Sequence, residues 1–248
     1  MEISKMKFMN THIHNITLKE ATRQIDAFIL HNEFRYVVTP NVNHITILEK
    51  SKLFQNIYNN ASLILTDGKP LIWISKLYKT PIKEKISGSD LLPAVIEHAA
   101  IKKHSVFLLG AAEGVADLAA KNMLEKYPEL NISGVYSPPI GFERDREEIK
   151  HIISIVRNAK PDILVLGLGS PKQEKFIYQY RKKLEVPVTL CTGAAIDFLA
   201  GKQERAPKWM QDFGLEWLYR TIKEPGRLAK RYIHDGMAIL PLIWKYRK

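Results

Sequence analysis

Six short apolar runs rich in β-branched residues recur along the chain, and helix-like stretches separate them: RYVVTPN (35–41), SLILTDG (62–68), SVFLLGA (105–111), NISGVYSPP (131–139), DILVLGLG (162–169) and VTLCTGA (188–194). The intervening segments include GSDLLPAVIEHAAIKK and DREEIKHIISIVRNAK, whose apolar residues recur at helical spacing. Strands separated by helices of this length need crossover connections, so they pair in parallel, and a parallel sheet buries both faces under helices. The expected fold is therefore α/β: a Rossmann-like, doubly wound, mainly parallel sheet with helices on both faces.

Each run passes at its C-terminal end into small, polar or turn-forming residues: Thr39-Pro40-Asn41, Thr66-Asp67-Gly68, Gly110-Ala111, Ser137-Pro138-Pro139, Gly167 to Gln173, and Thr192-Gly193. In an open parallel sheet those ends share one edge, and ligands bind in the crevice above it. Residues far apart in the chain are expected to meet there.

The stretch GLGSPKQEKF (167–176) carries the densest signal. Gly167 and Gly169 let the backbone turn sharply beside a ligand, Ser170 can cap the next helix with Pro171 at its first position, and free amides at a helix start attract phosphate oxygens. The S-x-x-Q spacing of Ser170 and Gln173 is also that of a capping box, which needs no ligand. Lys172 stands where the third glycine of a dinucleotide fingerprint belongs, which argues against a nicotinamide cofactor.

Asp67, between an apolar run and a glycine, is either a turn residue bonded to its own backbone or a general base whose proton affinity rises with desolvation. Asp90 and Asp197 sit near expected helix starts, where a carboxylate has a structural use. The closest histidine pair, His12 and His14, is expected on one side of an N-terminal strand with no carboxylate or cysteine nearby. There is no D-x-D pair, so neither a metal nor another cofactor is expected, and Cys191 reads as a small core residue.

The 248 residues, 46% of them hydrophobic, suffice for one sizeable domain with a small appendage, divided near Arg205 into 1–204 and 205–248. The net charge is +11, and residues 201–248 hold eleven basic against five acidic side chains together with three of the four tryptophans. The ending MAILPLIWKYRK is too short to span lipid but suits the headgroup boundary. A segment of this kind is expected either to be an amphipathic helical tail packed on its own domain or to lie on a membrane, and its apolar surface could also be covered by a second subunit in a homo-oligomer. No nucleic-acid recognition motif accompanies the charge. A single cysteine and the lack of a secretory leader point to a cytoplasmic location.

TPNVNHI, LTDGKPLIW, GSDL, FLLGAAEG, GLGSPKQEKF, GAAIDFLAGKQERAPKWM and GLEWLYRTIKEPGRLAKRY occur in an order and spacing that resemble the WecG/TagA/CpsF glycosyltransferases, over about Asn10 to Tyr232. The resemblance implies an inverting, metal-independent hexosyltransferase of cell-surface polymer synthesis, peripheral on the inner face of the cytoplasmic membrane. Its UDP-sugar donor would be UDP-N-acetylmannosamine and its acceptor an undecaprenyl-diphosphate-linked N-acetylglucosamine. Asp67 would be the catalytic base. Thr39, Asn41, Gly68, Lys85, Gly110, Gly167, Gly169 and Gln173 would bind substrate, and Arg220, Arg227 and Arg231 of a basic helical C-terminal appendage would complete the site. The arginines, spaced seven and four apart, share a helical face provided that Pro225 does not interrupt it. Lys85 stands where an arginine is common, and another UDP-hexose is the alternative donor. A nicotinamide-dependent oxidoreductase, a basic nucleic-acid binder and a non-catalytic membrane-surface binder are the readings from other classes.

Overall fold

The computed structural model describes residues 5–31 and 33–247; the side chain of Arg227 lies outside this description. Strands β3 (Arg35–Val38), β4 (Leu63–Ile64), β5 (Ser105–Gly110), β6 (Asn131–Tyr136), β7 (Ile163–Gly167) and β8 (Val188–Cys191) fall on the six apolar runs. They form a parallel sheet in the order β4-β3-β8-β7-β5-β6. This is the Rossmann-like α/β arrangement.

Side chains along each strand alternate between two cores, one per face. Val37, Val106, Leu108, Ile163, Val165, Val188 and Leu190 pack on one side. Tyr36, Val38, Phe107, Leu109, Leu164, Leu166 and Cys191 pack on the other. The runs read as continuously apolar because both faces are covered. One side is closed by α1 (Leu18–His31), α5 (Gly88–Lys102) and α6 (Val115–Lys126), the other by α2 (Val42–Lys50), α3 (Lys52–Asn59), α7 (Arg146–Ala159) and α8 (Lys172–Leu184).

A separate antiparallel pair, β1 (Lys5–Phe8) and β2 (Thr11–His14), flanks the short edge strand β4. His12 and His14 fall two apart in β2, as expected of residues on one side of a strand; His12 is exposed, whereas His14 is buried and its Nδ1 accepts from the backbone N–H of Ile64 at 2.9 Å. That bond uses an N–H that an edge strand would otherwise leave unpaired.

After β8 the chain is helical: α9 (Ala195–Leu199), α10 (Lys208–Asp212), α11 (Glu216–Lys223) and α12 (Pro225–Lys245), with α4 (Lys69–Leu77) facing them from the β4 side. Pro225 opens α12 at its first position, so Arg220 and Arg231 lie on different helices and the single arginine-bearing face expected from the spacing does not form. Among the described residues no helix is long and apolar enough to cross a membrane.

Candidate active site

The chain winds outward from β3 to β4 and, on the other side, from β5 to β6, while β7 and β8 fill the middle. Such a reversal leaves a crevice above the carboxyl ends of the strands beside it. A cavity of about 430 Å³ lies there, walled by Thr39 after β3, Asp67 after β4, Gly167 to Ser170 after β7, Thr192 to Ala194 after β8, and Gly88 and Ser89 at the start of α5. A second cavity of about 330 Å³ opens beside it, between α4 and the C-terminal helices, and includes Lys69, Pro70, Trp217, Tyr232 and Ile239. Asn41, Asn43, Asp67, Ser89, Arg220 and Arg231 line both. Asp67 thus stands at the junction of two lobes.

The edge lobe is tight because backbones meet within it. Gly88 approaches β8 so closely that a Cβ would fall 2.4 Å from the Thr192 carbonyl oxygen. Ser87 and Asp90 close a capping box at this helix start, and Gly88 admits the helix to the sheet edge.

Asp67 is anchored by its backbone, whose N–H donates to Pro40 O at 2.8 Å, and among the described residues none donates a hydrogen bond to its carboxylate. The turn-residue reading of this side chain is therefore not what the fold uses. Burial pushes its proton affinity above the usual carboxylate range; Lys85 and His44 pull it down, Glu216 and Asp90 push it further up, and the net direction is upward. An unbonded carboxylate of raised basicity facing an open cavity has the properties of a general base.

Beside Asp67 lies a ring of four charges. Lys85 Nζ is 2.8 Å from Asp90 and 3.7 Å from Glu216, and Arg205 reaches the same two carboxylates at 2.7 and 3.5 Å. Burial alone would raise the Asp90 carboxyl, but Lys85, Ser87 and Arg205 hold it down at about 2. Burial would likewise lower the Lys85 ammonium, yet Asp90 and Glu216 leave it raised. The ring joins the start of α5 to α11 and so holds the C-terminal helices against the sheet edge.

The residues expected at the site divide into three groups. Thr39, Asn41, Asp67, Gly167, Gly169, Gln173, Arg220 and Arg231 gather around the edge lobe, and Gly68 and Lys85 line the second lobe. Gly110 lies elsewhere: it has φ +120°, and a Cβ there would sit 2.6 Å from the Gly167 carbonyl carbon, so its smallness serves strand packing. Arg227 lies outside the described side chains.

Several of the gathered residues do structural work. The Gln173 side chain is buried, accepting from Gly193 N at 3.1 Å and donating to Glu174 at 2.8 Å, so it ties the β8–α9 loop to α8. The expected Ser170–Gln173 capping box does not form, because Pro171 occupies the cap position and no side chain caps the helix. Asn41 caps α2 in a box completed by His44.

Sequence reasoning passed over other residues here. Asn43 Nδ2 donates to the buried carboxylate of Asp235 at 3.0 Å, joining α2 to α12. Tyr232 lines the second lobe close enough to Asp67 to feel its charge: burial raises the phenol, Arg220 and Arg231 lower it, and Asp67 and Glu216 raise it further. Asn43 lies inside TPNVNHI and Tyr232 ends the last quoted motif, so both were visible, but no local spacing marked either one.

A doubly wound sheet with a two-lobed crevice over its carboxyl edge, and between the lobes a carboxylate of raised proton affinity, has the form of a site that could bring two substrates together. Residues 6–248 match the profile of the glycosyl transferase WecG/TagA/CpsF family. Three relatives share the name N-acetylglucosaminyldiphosphoundecaprenol N-acetyl-beta-D-mannosaminyltransferase. The protein of Bacillus subtilis is 31% identical, over 87% of this chain and 84% of its own length. That of Bacillus spizizenii is 29% identical, over 91% and 84%. One from Staphylococcus aureus is 24% identical, over 92% and 88%. The chain belongs to the WecG/TagA/CpsF family and is a glycosyltransferase.

Proposed function

We propose that this glycosyltransferase moves N-acetylmannosamine from UDP-N-acetylmannosamine to an undecaprenyl-diphosphate-linked N-acetylglucosamine, by a single inverting displacement that needs no metal or other cofactor. The observation that carries the reading is the place of Asp67 where the two lobes meet, its carboxylate accepting no hydrogen bond among the described residues. The names of the relatives support the sugar and the lipid-linked acceptor.

In this mechanism the donor occupies the edge lobe, with its diphosphate toward the glycine-lined loop after β7 and the arginines of the C-terminal helices. Asp67 takes the proton of the acceptor hydroxyl. The hydroxyl oxygen forms a bond to the anomeric carbon from one face while the bond to the UDP oxygen breaks on the other. Arg220 and Arg231, which line both lobes, offset the charge that develops on the departing diphosphate. Holding both reactants in line contributes most of the acceleration, and the base adds roughly 10²- to 10⁴-fold.

The exposed side of α12 supports peripheral docking at the inner membrane face. Ile233, Met237, Leu240 and Trp244 are each more than half exposed and recur at helical spacing. Incubation with a panel of UDP-sugars and a short-prenyl diphosphate-linked N-acetylglucosamine, with product masses as readout, tests the reading. One N-acetylhexosamine should be added, fastest from UDP-N-acetylmannosamine. Preferential transfer from another UDP-hexose would replace the donor assignment, and no transfer from any donor would overturn the function.

A further inference from the structure

The second lobe differs in chemistry from the first. Its walls carry an aromatic pair, Trp217 from α11 and Tyr232 from α12, with ring centroids 5.9 Å apart in an edge-to-face arrangement. The Arg231 guanidinium lies 5.3 Å from the Tyr232 ring centroid, a second contact on that ring. The Tyr232 hydroxyl makes no hydrogen bond among the described residues, and Trp217 remains 41% exposed. Neither ring is consumed by core packing.

Around the pair stand Lys69, Gln211 and Glu216, polar side chains from α4, α10 and α11. An aromatic face ringed by amide and charged groups suits a pyranose ring, whose C–H face packs on aromatics while its hydroxyls and acetamido group turn to polar partners. At about 330 Å³ the lobe has room for a single sugar ring. Pro70 and Ile239 add an apolar floor, and the α12 side of the lobe adjoins the exposed stripe of Ile233, Met237 and Leu240. A substrate with a polar sugar head and a prenyl tail is matched along this direction.

We propose that Trp217 and Tyr232 form the subsite that holds the acceptor hexosamine by stacking, presenting its hydroxyl to Asp67. The assignment rests on the two-substrate reading given above and deepens it by placing the acceptor ring. The uracil ring of UDP is the competing occupant of an aromatic platform. It is disfavoured because the glycine-lined loops after β7 and β8 line the other lobe.

Trp217→Ala and Trp217→Phe variants, with Tyr232→Leu, discriminate these cases. Steady-state kinetics with the short-prenyl acceptor and calorimetric UDP titration are the two readouts, and the melting temperature of each variant is the folding control. Acceptor KM should rise tenfold or more for Trp217→Ala and for Tyr232→Leu, with a smaller rise for Trp217→Phe, which keeps a flat ring. The UDP Kd should stay within twofold. A UDP Kd weakened tenfold with acceptor KM unchanged would assign the platform to uracil and overturn the inference. Unchanged constants of both kinds in a folded variant would overturn it as well. If Trp217→Ala fails to fold, Trp217→Phe and Tyr232→Leu decide by the same criteria. Transfer by the wild-type enzyme is scored first, so failure of the glycosyltransfer reading is recognised separately from failure of the subsite.

Discussion

The two lobes of the crevice are built by different means. The edge lobe is made of strand ends and the loops that follow them, and its walls are fixed mainly by main-chain contacts, Gly88 against Thr192 and the Ala111 N–H on Gly167 O, with the buried Gln173 side chain bridging to Gly193. The second lobe is closed by helices whose attachments are side-chain pairs: the Lys85–Asp90–Arg205–Glu216 ring, Asn43 on Asp235, and Gln203 on Glu224. Main-chain packing sets one geometry, whereas ion pairs at the edge of solvent depend on pH and salt. On the proposed mechanism the donor takes the lobe fixed by main-chain packing and the acceptor takes the one held by side-chain pairs, with Asp67 at their junction.

The largest effect expected is at the junction. Asp67→Asn should leave UDP affinity nearly unchanged and lower kcat by roughly 10²- to 10⁴-fold. Because the raised Asp67 carboxyl must be deprotonated to act, kcat/KM should climb with pH through a value above the ordinary carboxylate range. That acidic limb should be missing from the residual activity of the variant.

Next comes the support of the edge lobe. Burial and Lys5 lower the His14 imidazole from 6.5 to about 4, and the Ile64 N–H donated to Nδ1 needs that nitrogen unprotonated. The neutral form is therefore favoured in the folded chain. This contribution is fully present above pH 6.5 and is lost as pH falls from there toward 4, amounting to about 3 kcal/mol at the limit. Denaturant melts across that window should show the loss, and His14→Gln should flatten it.

Loosening the other lobe should have a smaller effect on stability. The Asp90 carboxyl is held at about 2 against 3.8 unperturbed, so its contribution is present above about pH 4 and disappears as pH falls through 2. Asp90→Asn at neutral pH should therefore destabilise by about 2 kcal/mol, and it should raise acceptor KM more than UDP Kd. Equal changes in both constants would mean that the two lobes are not separately supported.

The smallest effect belongs to the surface. Replacing Met237 and Leu240 by serine should leave melting nearly unchanged while reducing co-sedimentation with anionic vesicles, because these side chains are exposed and meet no core. Co-sedimentation equal to wild type would remove this stripe from membrane docking.

The contrast between lobes also explains what the sequence disclosed. Strand ends follow a positional rule, so Thr39, Asp67, Gly167 and Thr192 could be assigned to one edge from the periodicity of six runs. The second lobe obeys no such rule. Lys85, Asp90, Arg205 and Glu216 meet only because α11 folds back over α5, and nothing in their spacing announces it. Trp217 was legible as part of a tryptophan-rich tail, but its pairing with Tyr232 depends on the angle between two helices that Pro225 separates. Gly110 and Gln173 carried the expected residue types at the expected edge; tertiary contacts commit Gly110 to strand packing, whereas Gln173 both lines the edge lobe and ties Gly193 to α8.

An experimental structure of the enzyme with UDP tests the central claim most directly. The diphosphate is expected over the loops Gly167–Ser170 and Thr192–Ala194, with the Trp217–Tyr232 lobe left to the acceptor and the Asp67 carboxylate between them. Nucleotide stacked on Trp217 and Tyr232, or bound away from the sheet's carboxyl edge, would contradict it.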